Sequence, residues 1–170
     1  MGAGALVEPL TTVRAAARAD AAAIARIYNQ GIEERGATFE TRLREPADCD
    51  SLAERALVAE RAGEVVGWAA VLPYSERDCY AGVAEFSVYV ERSERGSGAG
   101  TLLLERLCAW AAERGHWKLV SKLFPENTAS LALVARCGFR VVGLHLSHAR
   151  LDGEWRDVVL VERLLGEAAG

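Results

Sequence analysis

Hydrophobic positions along the chain switch repeatedly between strand spacing and helical spacing. A stripe at helical spacing predicts a helix over residues 21–35, with Asp20 as its N-cap and Gly36 closing it. This stripe consists of Ala23, Ile24, Ile27, Tyr28 and Ile32. Further helices are expected over residues 46–54, 98–114 and 127–137. The helix over residues 98–114 is expected to turn inward Leu102, Leu103, Leu107 and Trp110.

Seven apolar runs have the length and the β-branched or aromatic content of strands. They lie at residues 12–15, 56–59, 65–72, 83–90, 117–123, 139–148 and 156–165. The run over residues 117–123 is typical of a strand buried on both faces. The resulting order, β-α-α-β-β-β-α-β-α-β-β, predicts an α/β fold with a mixed sheet and helices on its faces.

The length and composition are those of one globular domain. The chain has 170 residues, of which 51% are hydrophobic and 26% charged, so it can bury a sizeable core. No internal repeat or interdomain linker interrupts it. We therefore expect a flexible N-terminal segment over residues 1–11, a single domain over residues 12–166 and a short tail over residues 167–170.

Charge, hydropathy and cysteine spacing argue against several classes of partner. The net charge of −4 gives no reason to expect binding to nucleic acid, and the longest apolar run is too short to cross a membrane. The N-terminus lacks the pattern of a secretion signal, so a cytoplasmic protein is expected. The cysteines form no CxxC pair and predict no metal site. Cys108 and Cys137 are expected to be buried, and Cys79 exposed.

The clearest chemical signal is a glycine-rich turn between a strand and a helix. The segment Arg95-Gly96-Ser97-Gly98-Ala99-Gly100 follows the strand over residues 83–90 and opens directly into the next helix. Backbone N–H groups at such a turn bind anions, and glycine lets phosphate oxygens approach closely. Arg92 and Arg95 add donors of the right charge. A plain connection and a dinucleotide fingerprint are the alternatives, but the turn lies mid-chain and has no acidic ribose partner.

With these residues the sequence resembles the GNAT superfamily of acetyltransferases. Arg95, Gly98 and Gly100 match its signature, Arg/Gln-x-x-Gly-x-Gly/Ala, and residues 127–131 and 137–139 resemble its second acetyl-CoA motif. The resemblance implies the GNAT acyl-CoA N-acyltransferase fold, a mixed and mostly antiparallel sheet with about four helices, and acetyl-CoA as cosubstrate. It implies cofactor contacts from Val88, Tyr89, Val90, Arg95, Gly96, Ser97, Gly98, Ala99, Gly100, Thr101, Asn127 and Ser130.

Within that superfamily the sequence is most similar to the phosphinothricin acetyltransferase-like branch. The similarity is carried by residues 27–29 with 37–41, 67–69 with Pro73, 83–90, and 153–158. It implies acetylation of the α-amine of a small amino acid or toxic analogue, of the phosphinothricin or methionine sulfoximine/sulfone type, a role in detoxification, and a homodimer. The chain departs from the branch at residues 148–153 and between Thr41 and Leu57, which leaves the identity of the acceptor open.

Acetyl transfer to an amine requires a base and a donor that polarises the thioester carbonyl. Strand alternation places Glu85, Ser87 and Tyr89 on one face of the strand over residues 83–90. A carboxylate in an apolar strand is costly without a task or a partner, so we assign Glu85 as the base; pairing with an arginine or a wet sheet edge is the alternative. The resemblance implies a carbonyl-binding N–H near Val88.

Two questions remain open in the sequence. Val134 stands where many family members carry a tyrosine or histidine that protonates the leaving thiolate, so water or another group must serve. The resemblance implies acceptor contacts from Thr38, Phe39, Arg77 and Tyr80, with Arg77 a clamp for an anionic group. The alternatives to an amino-acid acetyltransferase are an enzyme for another small amine or a protein N-terminus, and a non-catalytic acetyl-CoA-binding module.

Overall fold

A single seven-stranded sheet organises the chain in the computed structural model, which describes residues 9–170. The strands are β1 (Thr11–Ala15), β2 (Ala56–Arg61), β3 (Glu64–Pro73), β4 (Val83–Val90), β5 (Lys118–Leu123), β6 (Arg140–Leu151) and β7 (Glu154–Leu164). The helices are α1 (Ala21–Glu34), α2 (Asp50–Ala53), α3 (Ala99–Glu113) and α4 (Thr128–Arg136). The predicted element order is confirmed. Residues 1–8 of the expected N-terminal segment lie outside the described residues.

The order of the strands across the sheet is β1-β2-β3-β4-β5-β7-β6. Every neighbouring pair is antiparallel except β4 and β5, which are parallel. Their ladder is short and runs only from Val83–Lys118 to Glu85–Val120. The helix α3 makes the crossover between these two strands, as a parallel connection requires. The sheet is thus mixed and mostly antiparallel, as expected.

An apolar core lies on each face of the sheet, between the strands and the helices that pack on them. On one face α1 packs through Ile24 and Ile27 against Val58 and Trp68. On the other face lie α3 and α4, and the buried positions of α3 are Ala99, Leu103, Leu104, Leu107, Cys108 and Ala111. The sequence prediction was partly wrong here, because Leu102 and Trp110 are only half-buried.

Three local predictions need correction. Asp20 stands before α1 but does not cap it, because its carboxylate accepts from Arg14 and from the N–H of Ala17 instead. Arg35, not Gly36, ends the helix in a left-handed conformation with φ 58°, since its guanidinium is held by the carbonyl of Ile32 and by Asp152. The strand β5 is not buried on both faces, because Lys122 is exposed where β4 and β5 separate.

The Asp20 carboxylate provides a test of pH-dependent stability. It is almost fully buried and accepts two hydrogen bonds from the Arg14 guanidinium, at 2.8 and 3.0 Å. These bonds, despite the cost of burial, hold the pKa of Asp20 below its ordinary value. A lowered folded pKa gives stability that is present above the unfolded pKa of about 3.9 and is lost as pH falls through the folded pKa.

Asp20→Asn is therefore expected to lower the free energy of unfolding by about 1–3 kcal/mol at neutral pH. The difference from the parent protein should shrink below roughly pH 4. Urea unfolding of both proteins between neutral and acid pH measures it. A difference that stays constant down to acid pH would contradict this account. Asp50→Asn removes the partner of Arg18 at a more exposed pair and serves as the matched control.

Candidate active site

The strands β4 and β5 diverge and open a cleft in the sheet. Ladder pairing stops at Glu85–Val120, although β4 continues to Val90 and β5 to Leu123. Beyond that point Ser121 Oγ donates to the carbonyl of Phe86 at 3.0 Å, which bridges the strands where they begin to separate. The cleft has a volume of about 70 Å³ and is lined by Ala37, Phe86, Ser87, Val88, Tyr89, Ser121, Lys122, Leu123, Asn127, Ser130, Leu133 and Val134.

The backbone of Val88 faces this cleft. Because Phe86 accepts a bond from Ser121, its carbonyl points toward β5. Backbone groups two residues apart on a strand point the same way, so the N–H of Val88 also points toward β5. The ladder has already ended there, so this N–H has no strand partner. A donor aimed into a cleft in this way can polarise a carbonyl oxygen.

The glycine-rich turn lies between the end of β4 and the start of α3. Gly96 and Gly98 adopt φ values of 78° and 91°, which glycine accepts without strain. The first hydrogen bond of α3 runs from Leu102 to the carbonyl of Gly98. The preceding N–H groups, of Ala99 and Gly100 and of Thr101, have no partner among residues 9–170. They form the unsatisfied, partly positive end of a fifteen-residue helix, which suits an anionic phosphate.

The two arginines of the turn are already engaged by α1. Glu34 accepts from Arg92 Nε at 2.7 Å and from Arg95 Nη1 at 2.8 Å. Partial burial opposes ionisation of Glu34, but the two guanidinium bonds outweigh it and hold its pKa below the ordinary value. Gln30 adds a bond from the N–H of Arg92. The sequence prediction of free phosphate donors therefore missed a carboxylate that holds both.

The helix α4 supplies the opposite wall of the cleft. Asn127 caps α4, since its Oδ1 accepts from the N–H of Ser130 at 3.1 Å. The cap fixes the Asn127 side chain at the cleft and leaves its amide N–H groups free to donate. Val134 lies one turn further along and is buried, so the structure offers no proton donor at that position. After the last helical residue, Arg136, and the C-cap Cys137, Gly138 adopts a φ of 79° and closes the helix, as predicted.

Glu85 is paired, with a lysine. Lys122 Nζ lies 2.7 Å from Glu85 Oε1, and both side chains are about one-third exposed or slightly more. The alternative expected from the sequence is an arginine partner, whereas the partner in the structure is Lys122. The carboxylate and the ammonium lie on the same face, because Glu85 pairs with Val120 and Lys122 follows two residues later. The lysine extends to the cleft and is its only charged lining residue among those described.

Tyr89 belongs to an aromatic cluster beneath the cleft. Its ring stacks on Trp68 at 4.9 Å and contacts Tyr28 at 5.0 Å. Burial, opposed by a hydrogen bond with Thr38, raises the pKa of Tyr89 above its ordinary value. The close approach of α1 explains Gly31, where a Cβ would lie 2.6 Å from the Tyr89 ring. The Tyr89 hydroxyl is thus a structural group, and a cofactor contact from this residue would come from its backbone.

The residues assigned to the acceptor fall into two places. Thr38 and Phe39 lie beside the cleft, Thr38 at the Tyr89 hydroxyl and Phe39 with its ring 4.9 Å from that of Phe124. Arg77 and Tyr80 lie together on the β3–β4 loop, with the guanidinium 5.6 Å from the ring centroid. None of these four residues lines the cleft itself, although Ala37, which immediately precedes Thr38, does.

Cysteine and histidine chemistry finds no support within the described part of the chain. Cys108 and Cys137 are buried, as predicted, and burial raises the pKa of Cys108 to about 11, which suppresses its thiolate. His145 and His148 stack at 4.6 Å across a bulge in β6. No group of three potential metal ligands occurs in residues 9–170. Nor does any helix within that range have the length and apolar character to span a membrane.

Comparison with known proteins supplies the context for this cleft. A model of the acetyltransferase (GNAT) family matches residues 22–139. Over 165 residues the chain is 36% identical to the phosphinothricin N-acetyltransferase of Alcaligenes faecalis, with 91% of this chain and 82% of that one covered. Over 168 residues it is 31% identical to the L-methionine sulfoximine/L-methionine sulfone acetyltransferase of Salmonella typhimurium, covering 93% and 96%.

Solved structures agree with this result. An acetyltransferase from Salmonella typhimurium, determined with its cofactor acetyl-CoA, superposes with a TM-score of 0.88 at 30% identity, over 95% of this chain and 97% of the other. The fold expected from the sequence is thereby confirmed. With a family model spanning more than half of the chain and relatives above 30% identity over nine-tenths of it, this protein belongs to the acetyltransferase (GNAT) family.

Proposed function

We propose that the protein transfers the acetyl group of acetyl-CoA to the α-amine of a small amino acid or amino-acid analogue, with residues 12–166 as the acetyltransferase domain. The cleft between β4 and β5 carries this proposal, because an unpaired N–H at Val88 lies between a glycine-rich anion site and a carboxylate. The similarity to phosphinothricin and methionine sulfoximine/sulfone acetyltransferases supports the choice of acceptor.

Successive parts of acetyl-CoA, from its diphosphate to its thioester, would contact different residues of the cleft and the turn. Its diphosphate suits the turn, through the free N–H groups of residues 99–101 and the glycines that precede them. The pantetheine arm, which carries amide groups, would pass between the separated strands beside Val88 and Val90. Asn127 and Ser130 border the same cleft and can bond to those amides. The thioester carbonyl would then accept from the Val88 N–H.

Glu85 would remove a proton from the acceptor amine, directly or through one water. The amine nitrogen then bonds to the thioester carbon, and the C–S bond breaks to release the CoA thiolate. Val134 has no proton to give, so we assign protonation of the thiolate to water at the open cleft. A thiol has a pKa of about 8.5, so the thiolate is an acceptable leaving group without a strong acid.

The proposal is tested by thiol release from acetyl-CoA with phosphinothricin, methionine sulfoximine, methionine sulfone and the natural amino acids. Small polyamines and short peptides with free N-termini are the competing acceptors. Saturable release with the amino-acid analogues, and much less with peptides, is the expected result. Tight acetyl-CoA binding without release by any acceptor would replace this function with that of a non-catalytic binding module.

We further propose that the enzyme is a homodimer joined at β6. This edge strand is twelve residues long and exposes apolar side chains along its length: Val141, Val142, Leu144 and Leu146. A long apolar edge strand invites pairing with another chain, and a second copy can cover it symmetrically. Dimerisation would also bury apolar surface near Trp155 on β7, whose side chain is 57% exposed.

Leu146→Lys is expected to convert the dimer to a monomer, since it places a charge in the apolar edge, where Leu146 is 72% exposed. Light scattering coupled to size-exclusion chromatography measures the mass. Leu10→Lys changes a leucine that is 82% exposed and lies immediately before β1, and it should leave the mass unchanged. A parent protein that is monomeric at micromolar concentration would rule out this interface.

A further inference from the structure

The ion pair at the mouth of the cleft combines a proposed base with a cation that the reaction itself does not use. Glu85 and Lys122 are 2.7 Å apart, and both remain partly open to solvent. An exposed pair of this kind contributes little to stability, because water screens it and two side chains must be held in place. Since the ion pair adds little to stability, its location at the cleft indicates a role for Lys122 in binding a ligand.

Lysine is rare in this chain, so the two lysines can be compared directly to ask what Lys122 does at the cleft. Only two of the twenty basic residues are lysines, Lys118 and Lys122, and both lie on β5. Lys118 pairs with Glu162 of β7 at 3.0 Å, away from the cleft. Lys122 lines the cleft beside Ser87 and Val88, where it is the only charged group among the described lining residues. Within the described part of the chain, a substrate anion that enters this cleft meets no other cation on its wall.

An α-amino acid presents the matching pair of charges. Its amine and its carboxylate are separated by one carbon, so their heavy atoms lie about 3 Å apart. An amine placed at Glu85 thus brings its own carboxylate within reach of a neighbouring ammonium. The partly exposed lysine can exchange one carboxylate partner for a second or contact both, since an ammonium carries three donors.

We propose that Lys122 binds the α-carboxylate of the acceptor and thereby makes the enzyme selective for free α-amino acids. This inference rests on the proposed function, which places the amine at Glu85. It separates two tasks: Lys122, in the cleft lining, binds the carboxylate that all amino acids share, whereas Arg77, on the β3–β4 loop outside that lining, is left for the variable side group. An acceptor without a free carboxylate, such as an amide or a peptide, loses the lysine contact.

The experiment compares methionine sulfone with its carboxamide and with its decarboxylated amine as acceptors. For the parent protein, kcat/KM should be roughly 10- to 100-fold higher for the free acid, as expected for a hydrogen bond between charged groups. Lys122→Gln should reduce this ratio to near one, and Lys122→Arg should restore most of it. Lys118→Gln, a change of the same residue type on the same strand face, should leave the ratio intact.

Calorimetry of methionine sulfone binding to the CoA complex gives a readout that is independent of turnover. Affinity should fall about tenfold or more in Lys122→Gln and not in Lys118→Gln. An unchanged acid-to-amide ratio and unchanged affinity in Lys122→Gln would overturn this inference alone. Absence of thiol release by every acceptor would instead overturn the proposed function, and the calorimetric comparison would still decide the role of Lys122. Thermal melting of each variant separates loss of binding from loss of the fold.

Discussion

Replacing Glu85 with glutamine is expected to lower kcat/KM for an amino-acid acceptor by roughly 10²- to 10⁴-fold, the usual contribution of a general base. Glutamine keeps the size of the side chain and can still accept a hydrogen bond from Lys122, but it cannot take a proton from the amine. Acetyl-CoA affinity should be unchanged, because the diphosphate and pantetheine contacts proposed above come from the glycine turn and α4.

The pH dependence makes this prediction specific. Without the base, only amine that is already deprotonated in solution can react, so the rate of the variant should rise more steeply with pH than that of the parent. Initial rates between about pH 6 and 9.5, a range in which the α-amine of an acceptor passes from mostly protonated to increasingly deprotonated, measure this. Glu162→Gln, which removes the carboxylate partner of the other lysine, is the matched control. Parallel pH profiles and less than a tenfold loss in Glu85→Gln would exclude Glu85 as the base.

Trp68→Ala is expected to lower the free energy of unfolding by about 3–5 kcal/mol, the range for deleting a large buried aromatic side chain. Trp68 is 1% exposed, stacks on Tyr89 and meets Tyr28 edge-on at 5.6 Å. The cavity would open directly beneath β4, so loss of acetyl transfer should accompany the loss of stability. Urea unfolding followed by circular dichroism measures the first effect.

Trp68→Phe provides the contrast. The indole Nε1 of Trp68 is buried and has no hydrogen-bond partner among residues 9–170, so removing it leaves no acceptor unsatisfied and relieves a desolvation cost. The substitution should therefore cost only about 1–2 kcal/mol, for the smaller volume of the ring. Equal destabilisation by alanine and by phenylalanine would show that Nε1 has a partner in solution, for instance a buried water.

The arrangement of elements could be predicted from sequence because local patterns fix it. The strand over residues 83–90 was located to the residue, and α4 between Asn127 and Gly138 was bounded by a capping side chain and a left-handed glycine. Local patterns failed where a side chain outside the pattern decides. Asp20 follows a contact with Arg14 on the preceding strand, and Arg35 follows a contact with Asp152 far along the chain.

In the candidate site too, some residues could be predicted from local sequence and others only from the folded structure. The glycine turn and the carboxylate of Glu85 could be identified from the chain alone, since each depends on residue type and strand alternation. The separation of β4 from β5 could not, because it depends on how two strands far apart in the chain, paired from Val83–Lys118 onward, meet and then diverge. Lys122 and Glu34 were missed for the same reason: each lies in an unremarkable segment and becomes significant only beside Glu85, or beside Arg92 and Arg95.

The hydrogen bonds from Arg92 and Arg95 to Glu34 affect how the affinity for a diphosphate at the glycine-rich turn varies with ionic strength. A basic loop that is open to solvent gathers dissolved anions, and a ligand that displaces them binds much more weakly as salt is added. Here Arg92 and Arg95 carry counter-ions within the fold, the carboxylate of Glu34 on α1 and, 3.9 Å from Arg92, that of Glu33. A diphosphate that binds at the turn exchanges with these internal anions and releases fewer ions to solution than it would at an open basic loop. Its affinity should therefore fall less steeply with added salt than that of a ligand at such a loop.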